Sequence, residues 1–174
     1  MRKGEIPMKK KHGWIGKWTF RHIGRDGELL DEWDQFNALA DEGEEYMLGA
    51  GLRQLSQATN FYLGLYNDTP AETDGLSDLT GEASGNGYSR QTIEANATGW
   101  PTLAKDSGDY MASSKTVTFT ASGGSIGPVT YAVLATSSDN TGKLVAYVAL
   151  SQSRTLADGE SLQCSMTVKL SEAA

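Results

Sequence analysis

The chain has 174 residues, 39% of them hydrophobic and 21% charged, with 15 Lys and Arg against 22 Asp and Glu for a net charge of −7. It is too apolar for wholesale disorder, and 20 glycines and 4 prolines are too few for a collagen-like or low-complexity chain, so one folded domain with a tail is expected. Its best apolar run, Leu144 to Leu150, falls far short of the roughly 18–20 residues of a membrane-spanning helix, and no membrane contact is expected.

Residues 1–13 show no periodicity and read as an arm. Lys9, Lys10 and Lys11 are followed by His12-Gly-Trp-Ile-Gly-Lys17, with no apolar stretch of the kind a signal peptide needs. Trp18, Phe20 and His22 then alternate with Lys17, Thr19 and Arg21, which predicts a strand. Gly24-Arg-Asp-Gly27 supplies a turn, and Glu28 to Trp33 returns as a second strand. A lone hairpin is marginal in water, so this one must pack on something.

From Asn37 the pattern becomes helical. Asp41 suits an N-cap with Glu44 three residues on, and Leu48, Leu52 and Leu55 recur at steps of four and three, which predicts a helix over about 41–56. The acids Asp41, Glu42, Glu44 and Glu45 fit the positive end of its dipole, while Gly49 and Gly51 weaken its second half. Strands are predicted at 61–66, 88–94, 115–121, 129–136, 143–151 and 161–170. Leu162, Cys164, Met166, Val168 and Leu170 alternate with polar residues, so the last strand has one buried face. Strands 129–135 and 144–150 are apolar on both faces, which places them centrally or at a subunit interface. The expected fold is mainly β: a β-sandwich or jelly-roll-like body (37–174) with one helix, preceded by the basic arm and aromatic hairpin (1–36).

The net charge divides unevenly. Residues 1–25 hold eight basic side chains (Arg2, Lys3, Lys9, Lys10, Lys11, Lys17, Arg21, Arg25) and one acid, Glu5, a net +7 that leaves −14 on the remainder. A cationic segment on an acidic body points to an anionic partner surface. Basic residues interleaved with aromatics can hold single-stranded nucleic acid, but a −14 body repels a polyanion, so nucleic acid is disfavoured.

Catalytic chemistry finds little footing. Gly123-Gly-Ser125-Ile-Gly127 has the G-x-S-x-G spacing, yet Pro128-Val-Thr begins a strand where that motif needs a helix, and both histidines, His12 and His22, lie upstream. A glycine-rich hairpin loop is the better reading. Two histidines and the single Cys164 make no soft metal site, and Cys164 reads as a small buried apolar residue. Asp68, Glu72, Asp74 and Asp78 crowd the long 67–87 connection without the spacing of a calcium loop and read as solvated acids. No cofactor and no enzymatic activity are expected.

Two stretches carry a resemblance. One comprises Asn37-Ala-Leu-Ala-Asp-Glu-Gly-Glu-Glu-Tyr46, Phe61-Tyr-Leu-Gly-Leu-Tyr-Asn-Asp-Thr-Pro70, Leu76-Ser-Asp-Leu79 and Gly85-Asn-Gly-Tyr-Ser-Arg90. The other comprises Tyr131 to Thr136, Gly142-Lys-Leu-Val-Ala-Tyr147 and Ser153-Arg-Thr-Leu-Ala-Asp-Gly-Glu160. Together they resemble a family of small β-rich bacteriophage virion proteins encoded among head and tail genes. The resemblance implies a protein assembled in the bacterial cytoplasm and placed in the virion, on the capsid surface. The first expectation is a capsid decoration or cement protein, a homotrimer that grips the major capsid protein or another virion protein. Its contact residues would be Lys9, Lys10, Lys11, Trp14, Lys17, Trp18, Phe20, Arg21, Arg25 and Trp33. The alternative is a neck, tail or head fibre whose β-sandwich binds host glycan, with Tyr88, Trp100 and Tyr110 as stacking platforms.

Overall fold

The alternation of Trp18 and Phe20 with polar neighbours acts through a strand, β1 (Gly13–Ile23), that pairs antiparallel along its whole length with the C-terminal strand β11 (Ser161–Ser171). The computed structural model describes residues 13–171, so Lys9, Lys10 and Lys11 lie outside it. On its other side β1 pairs with β2 (Leu29–Phe36), closing the predicted hairpin. The far edge of β11 is shared end to end by β8 (Val117–Thr120) and β7 (Asp109–Ser113), and β6 (Thr102–Asp106) completes the first sheet on β7. The second sheet runs β3 (Ala38–Leu39), β10 (Leu144–Leu156), β9 (Ile126–Ala135), β4 (Asn60–Tyr66) and β5 (Gln91–Glu94), again antiparallel.

The two sheets share one core, a β-sandwich. Trp18, Phe20, Leu162, Cys164 and Met166 from the first sheet meet Leu63, Leu65, Ile93, Leu134 and Val148 from the second. Burial pushes the Cys164 thiol well up, so it stays protonated and inert. The inward side chains of the hairpin, Trp18 and Phe20, belong to this common core, and Trp33 packs against it. Two polar staples tie its edges to the body. His22 Nε2 lies 3.0 Å from Glu160 Oε2, and Arg154 of β10 bonds Asp31 while its guanidinium covers the Trp33 ring at 4.1 Å.

Strand β9 is apolar on both faces because both are covered within this chain. Ala132 and Leu134 face the sandwich core, whereas Val133 and Ala135 face a second cluster with Tyr66, Leu144, Leu76 and Leu79. Leu76 and Leu79 belong to the long 67–87 connection, so that segment is a lid on the outer face of the second sheet. Its acids stabilise its own turns: Asp74 accepts the Ala71 N–H at 2.7 Å, Asp78 that of Gly75 at 2.8 Å, and Asp68 that of Gly81 at 2.6 Å. Buried Arg90 clamps the end of the lid. It forks onto Glu82 at 2.7 and 2.8 Å, reaches the Tyr66 hydroxyl at 2.7 Å, and donates to the Ser137 and Asp139 carbonyls at 3.1 and 2.6 Å. Burial raises the pKa of Tyr66 and Tyr88, which keeps both phenols protonated, and the Tyr88 hydroxyl donates to Glu82 at 2.9 Å.

The helix α1 spans Asp41–Leu52, shorter than predicted, and its N-cap is Ala40 without a side-chain cap. Glu42 serves other donors, accepting the backbone N–H groups of Leu76 at 3.0 Å and Leu144 at 2.7 Å. The leucine stripe also points the other way. Gly43 and Gly49 are buried, while Leu48, Leu52 and Leu55 are 60%, 79% and 51% exposed. Close approach explains this, since a Cβ on Gly43 would sit 2.0 Å from the Val145 carbonyl oxygen. One hairpin escaped the sequence reading: β6 and β7 turn at Ser107-Gly108, with φ of +52° and +99°, the pattern of a tight hairpin turn.

Three substitutions test these contacts by urea unfolding. Gly43→Ala, which in a solvent-facing helix would stabilise by up to about 1 kcal/mol, should here destabilise by about 2 kcal/mol through overpacking. Arg90→Ala, which strands Glu82 and the Tyr66 phenol, should cost about 3 kcal/mol, and Glu82→Gln should add much less on top of it than it costs alone.

Candidate functional site

The sequence-nominated contact residues separate into three groups. Trp18 and Phe20 are fully buried, and Phe20 stacks between Trp18 and Trp33 at centroid distances of 6.0 and 5.2 Å. In the described chain both are core residues with no exposed surface. Lys17, Arg21 and Arg25 sit on the outside, but the first two are matched across the hairpin. Lys17 bonds Asp34 at 3.0 Å and Arg21 bonds Glu32 at 2.9 Å. The Thr19 hydroxyl and then Lys17 hold the Asp34 carboxyl below its ordinary value. Positive charge on this hairpin is therefore neutralised locally, and these exposed pairs contribute little to stability. Arg25 packs its stem close to Gly159 in the β10–β11 turn. Trp33 is half-buried beneath Arg154.

Of the described members Trp14 remains, and it lines an apolar groove. The inward-facing row of the first sheet runs on past the cover of the second: Trp14 pairs with Leu170, Val168 with Ala112, and Ala112 with Leu103. With Met47 of α1, Phe61 and Trp100 on the facing side, these residues line a groove of about 280 Å³. Its lining is apolar almost throughout, and Leu103, Tyr110 and Leu170 are 76%, 57% and 60% exposed at its rim. Apolar side chains left in water in one groove mark a contact site more than isolated exposed leucines do. Strand β6, one edge of the sheet, borders it, and Lys105 lies over the Tyr110 ring at 5.4 Å.

The aromatics of the glycan reading do not assemble. Trp100 and Tyr110 line the groove, whereas Tyr88 stacks on Phe119 at 5.8 Å and donates its hydroxyl inward. The groove has no carboxylate or amide in its lining to bond sugar hydroxyls. Nor does Ser125 have the setting of a nucleophile: it lies in the loop between β8 and β9, strand β9 begins at the next residue, and the nitrogen His22 presents is engaged by Glu160. Among the described residues, no three His, Cys, Asp or Glu side chains group as metal ligands would. The groove was legible in part, through the alternation of Val168 and Leu170. Its other wall depends on the unforeseen β6–β7 hairpin.

Comparison with known proteins places this geometry in context. No curated protein matches the chain. The family model of the podophage GP4 fiber I protein gp80 matches residues 39–168, from β3 to near the end of β11, and leaves the β1–β2 hairpin outside. That span is most of the chain, and the protein belongs to this family of phage virion structural proteins.

Proposed function

We propose that the protein is a non-enzymatic subunit of a fibre-like virion appendage, fastened to a neighbouring virion protein through the apolar groove between Trp14 and Leu103. The observation that carries this reading is the groove itself, an uncovered continuation of the sandwich core on a chain whose family is described by a fibre protein. Docking there removes Leu103, Tyr110 and Leu170 from water, and each such side chain is worth roughly 1.5–3 kcal/mol when fully buried. Protein is the fitting partner, because the lining is hydrophobic and aromatic, with the Lys105 ammonium over the rim ring of Tyr110.

The capsid-decoration reading draws less support. It relied on the basic, aromatic N-terminal arm as the gripping element; Lys9, Lys10 and Lys11 lie outside the described residues, Trp18 and Phe20 belong to the core, and Lys17 and Arg21 are paired with Asp34 and Glu32. Glycan binding by the sandwich is likewise not favoured at this groove, for want of polar partners.

The two virion roles differ in copy number and in what the groove does. Quantitative gels of purified virions should show the protein at the low stoichiometry of other appendage proteins. A Leu103→Asp, Leu170→Asp variant changes exposed positions and should keep its stability within about 1 kcal/mol, yet be missing from virions. Stoichiometry equal to that of the major capsid protein, or full incorporation of the variant, would contradict the proposal.

A further inference from the structure

Strand β6 uses only one of its two edges. It pairs with β7 from Thr102 with Ser113 to Asp106 with Asp109, and no strand among the described residues pairs with its other edge. Which backbone groups that free edge presents follows from parity, because residues along an antiparallel pair alternate between bonding the neighbouring strand and pointing away from it. Just beyond β7, the Ser114 N–H donates to the Met166 carbonyl of β11 at 2.8 Å, so the even-numbered residues of β7 face β11 and the odd-numbered ones face β6. Thr102, Ala104 and Asp106 are therefore bonded to β7, and the N–H and C=O groups of Leu103 and Lys105 point outward.

The sequence of this edge is complementary to itself. Laid antiparallel against a second β6 about Ala104, all five residues find a match: Thr102 with Asp106, Leu103 with Lys105, and Ala104 with its own copy. Leu103 and Lys105 then exchange both of their outward backbone bonds across the axis. Other registers that keep these two residues bonded are worse. Leu103 against Leu103 sets Lys105 against Pro101, which has no N–H, and Lys105 against Lys105 brings two ammonium groups together. The opposite edge of the sheet is guarded, since β2 laid against itself about Trp33 would set Glu32 against Asp34. Side chains on β6 agree with its backbone. Leu103 and Lys105 share the groove face with Ala112 and Tyr110, so pairing extends the row of Tyr110 and Lys105 into Leu103 and Ala112 of the second copy. The Lys105 stem covers that Leu103, which is 76% exposed in the single chain, and leaves its charge in water. On the other face the Thr102 hydroxyl meets the Asp106 carboxylate, and Ala104 is small enough for an axis where Cα atoms approach to roughly 4.5 Å.

We infer that β6 pairs antiparallel with β6 of a second copy of this chain across a two-fold axis at Ala104, joining two six-stranded sheets into one. The axis stands perpendicular to the sheet, so the two apolar grooves lie on the same face, one on each side of it. The joined sheet ends in β2 on both sides, where Glu32 and Asp34 discourage a further copy, so the assembly closes as a dimer. This inference rests on the reading of the groove as a contact site and names the neighbour at its rim.

Cross-linking of the full chain tests the axis. The one native thiol, Cys164, is fully buried with a raised pKa and does not compete with an introduced one. Facing residues at the axis lie within the Cα separation that a disulfide spans. Oxidised in air, Ala104→Cys should give a covalent dimer, whereas Leu103→Cys and Lys105→Cys should cross-link slowly alone and rapidly when mixed. Sedimentation equilibrium of the wild-type chain over the micromolar range should show monomer and dimer. Lys105→Pro, which removes an outward N–H and none of the bonds to β7, should lose the dimer and keep its β-sheet circular dichroism. A monomeric wild-type chain, an assembly larger than a dimer, or Ala104→Cys thiols that link no faster than those of Leu103→Cys would overturn the inference. A monomeric chain whose Leu103→Asp, Leu170→Asp variant is still missing from virions overturns the second copy alone and leaves the groove to another virion protein. Specific cross-linking through Ala104→Cys supports the two-fold pair whatever the incorporation of that variant.

Discussion

The structure depends on the pairing of its first described strand with its last. β1 and β11 run antiparallel over eleven residue pairs, from Gly13 with Ser171 to Ile23 with Ser161, and their shared inward face carries Trp18, Phe20, Cys164 and Met166 into the core. The rest of the first sheet is built on this pair: β2 on β1, β7 and β8 on β11, and β6 in turn on β7. Because the side-chain period of a strand is two, a slip of one residue would turn Trp18 and Phe20 to water and Lys17 and Thr19 into the core. The register therefore decides whether the sandwich has a core at all. Closing the chain ends on each other is also entropically costly, and only burial of large aromatics at the contact offsets it.

That pairing redistributes what the surface can do. The hairpin directs Trp18 and Phe20 into the common core, and its outer Lys17 and Arg21 are matched by Asp34 and Glu32. An apolar groove lies where the second sheet stops covering the first, lined by Trp14, Leu103, Tyr110 and Leu170 among others. A second groove, lined by Phe36, Glu44 and Glu72, shares Trp14 with it. Membership of the family of the podophage GP4 fiber I protein gp80 agrees with a protein whose function is to present surfaces and hold its place in the virion.

Much of this was written in the alternation of side chains. Trp18 with Phe20, and Leu162 through Val168, reveal their strands and buried faces, and the doubly apolar 129–135 segment is indeed central, with Leu76 and Leu79 of the long connection covering its outer face. Local pattern misled where backbone approach decided the outcome. Leu48, Leu52 and Leu55 have helical spacing, yet α1 packs through Gly43 because only a missing side chain lets it lie on the Val145 carbonyl. The β6–β7 hairpin was missed because its pairing to β11 lies more than fifty residues away in sequence, leaving only Ser107-Gly108 as a local sign. Arg90 stands alone as a cation in its segment, and nothing nearby in sequence foretells that Glu82, Tyr66 and the 137–140 loop converge on it.

The central claim is that the N-terminal hairpin and the C-terminal strand form one cooperative unit with the rest of the sandwich. Native-state hydrogen exchange on the full chain measures this directly, because amides in a separable element open at a lower free energy than those in the global core. The account predicts that the hydrogen-bonded amides of Trp18 to His22 exchange with the same opening free energy and denaturant dependence as those of Val133 and Leu134 in β9. Exchange of the β1 amides through a distinct, lower-energy opening, while β9 stays protected, would contradict it.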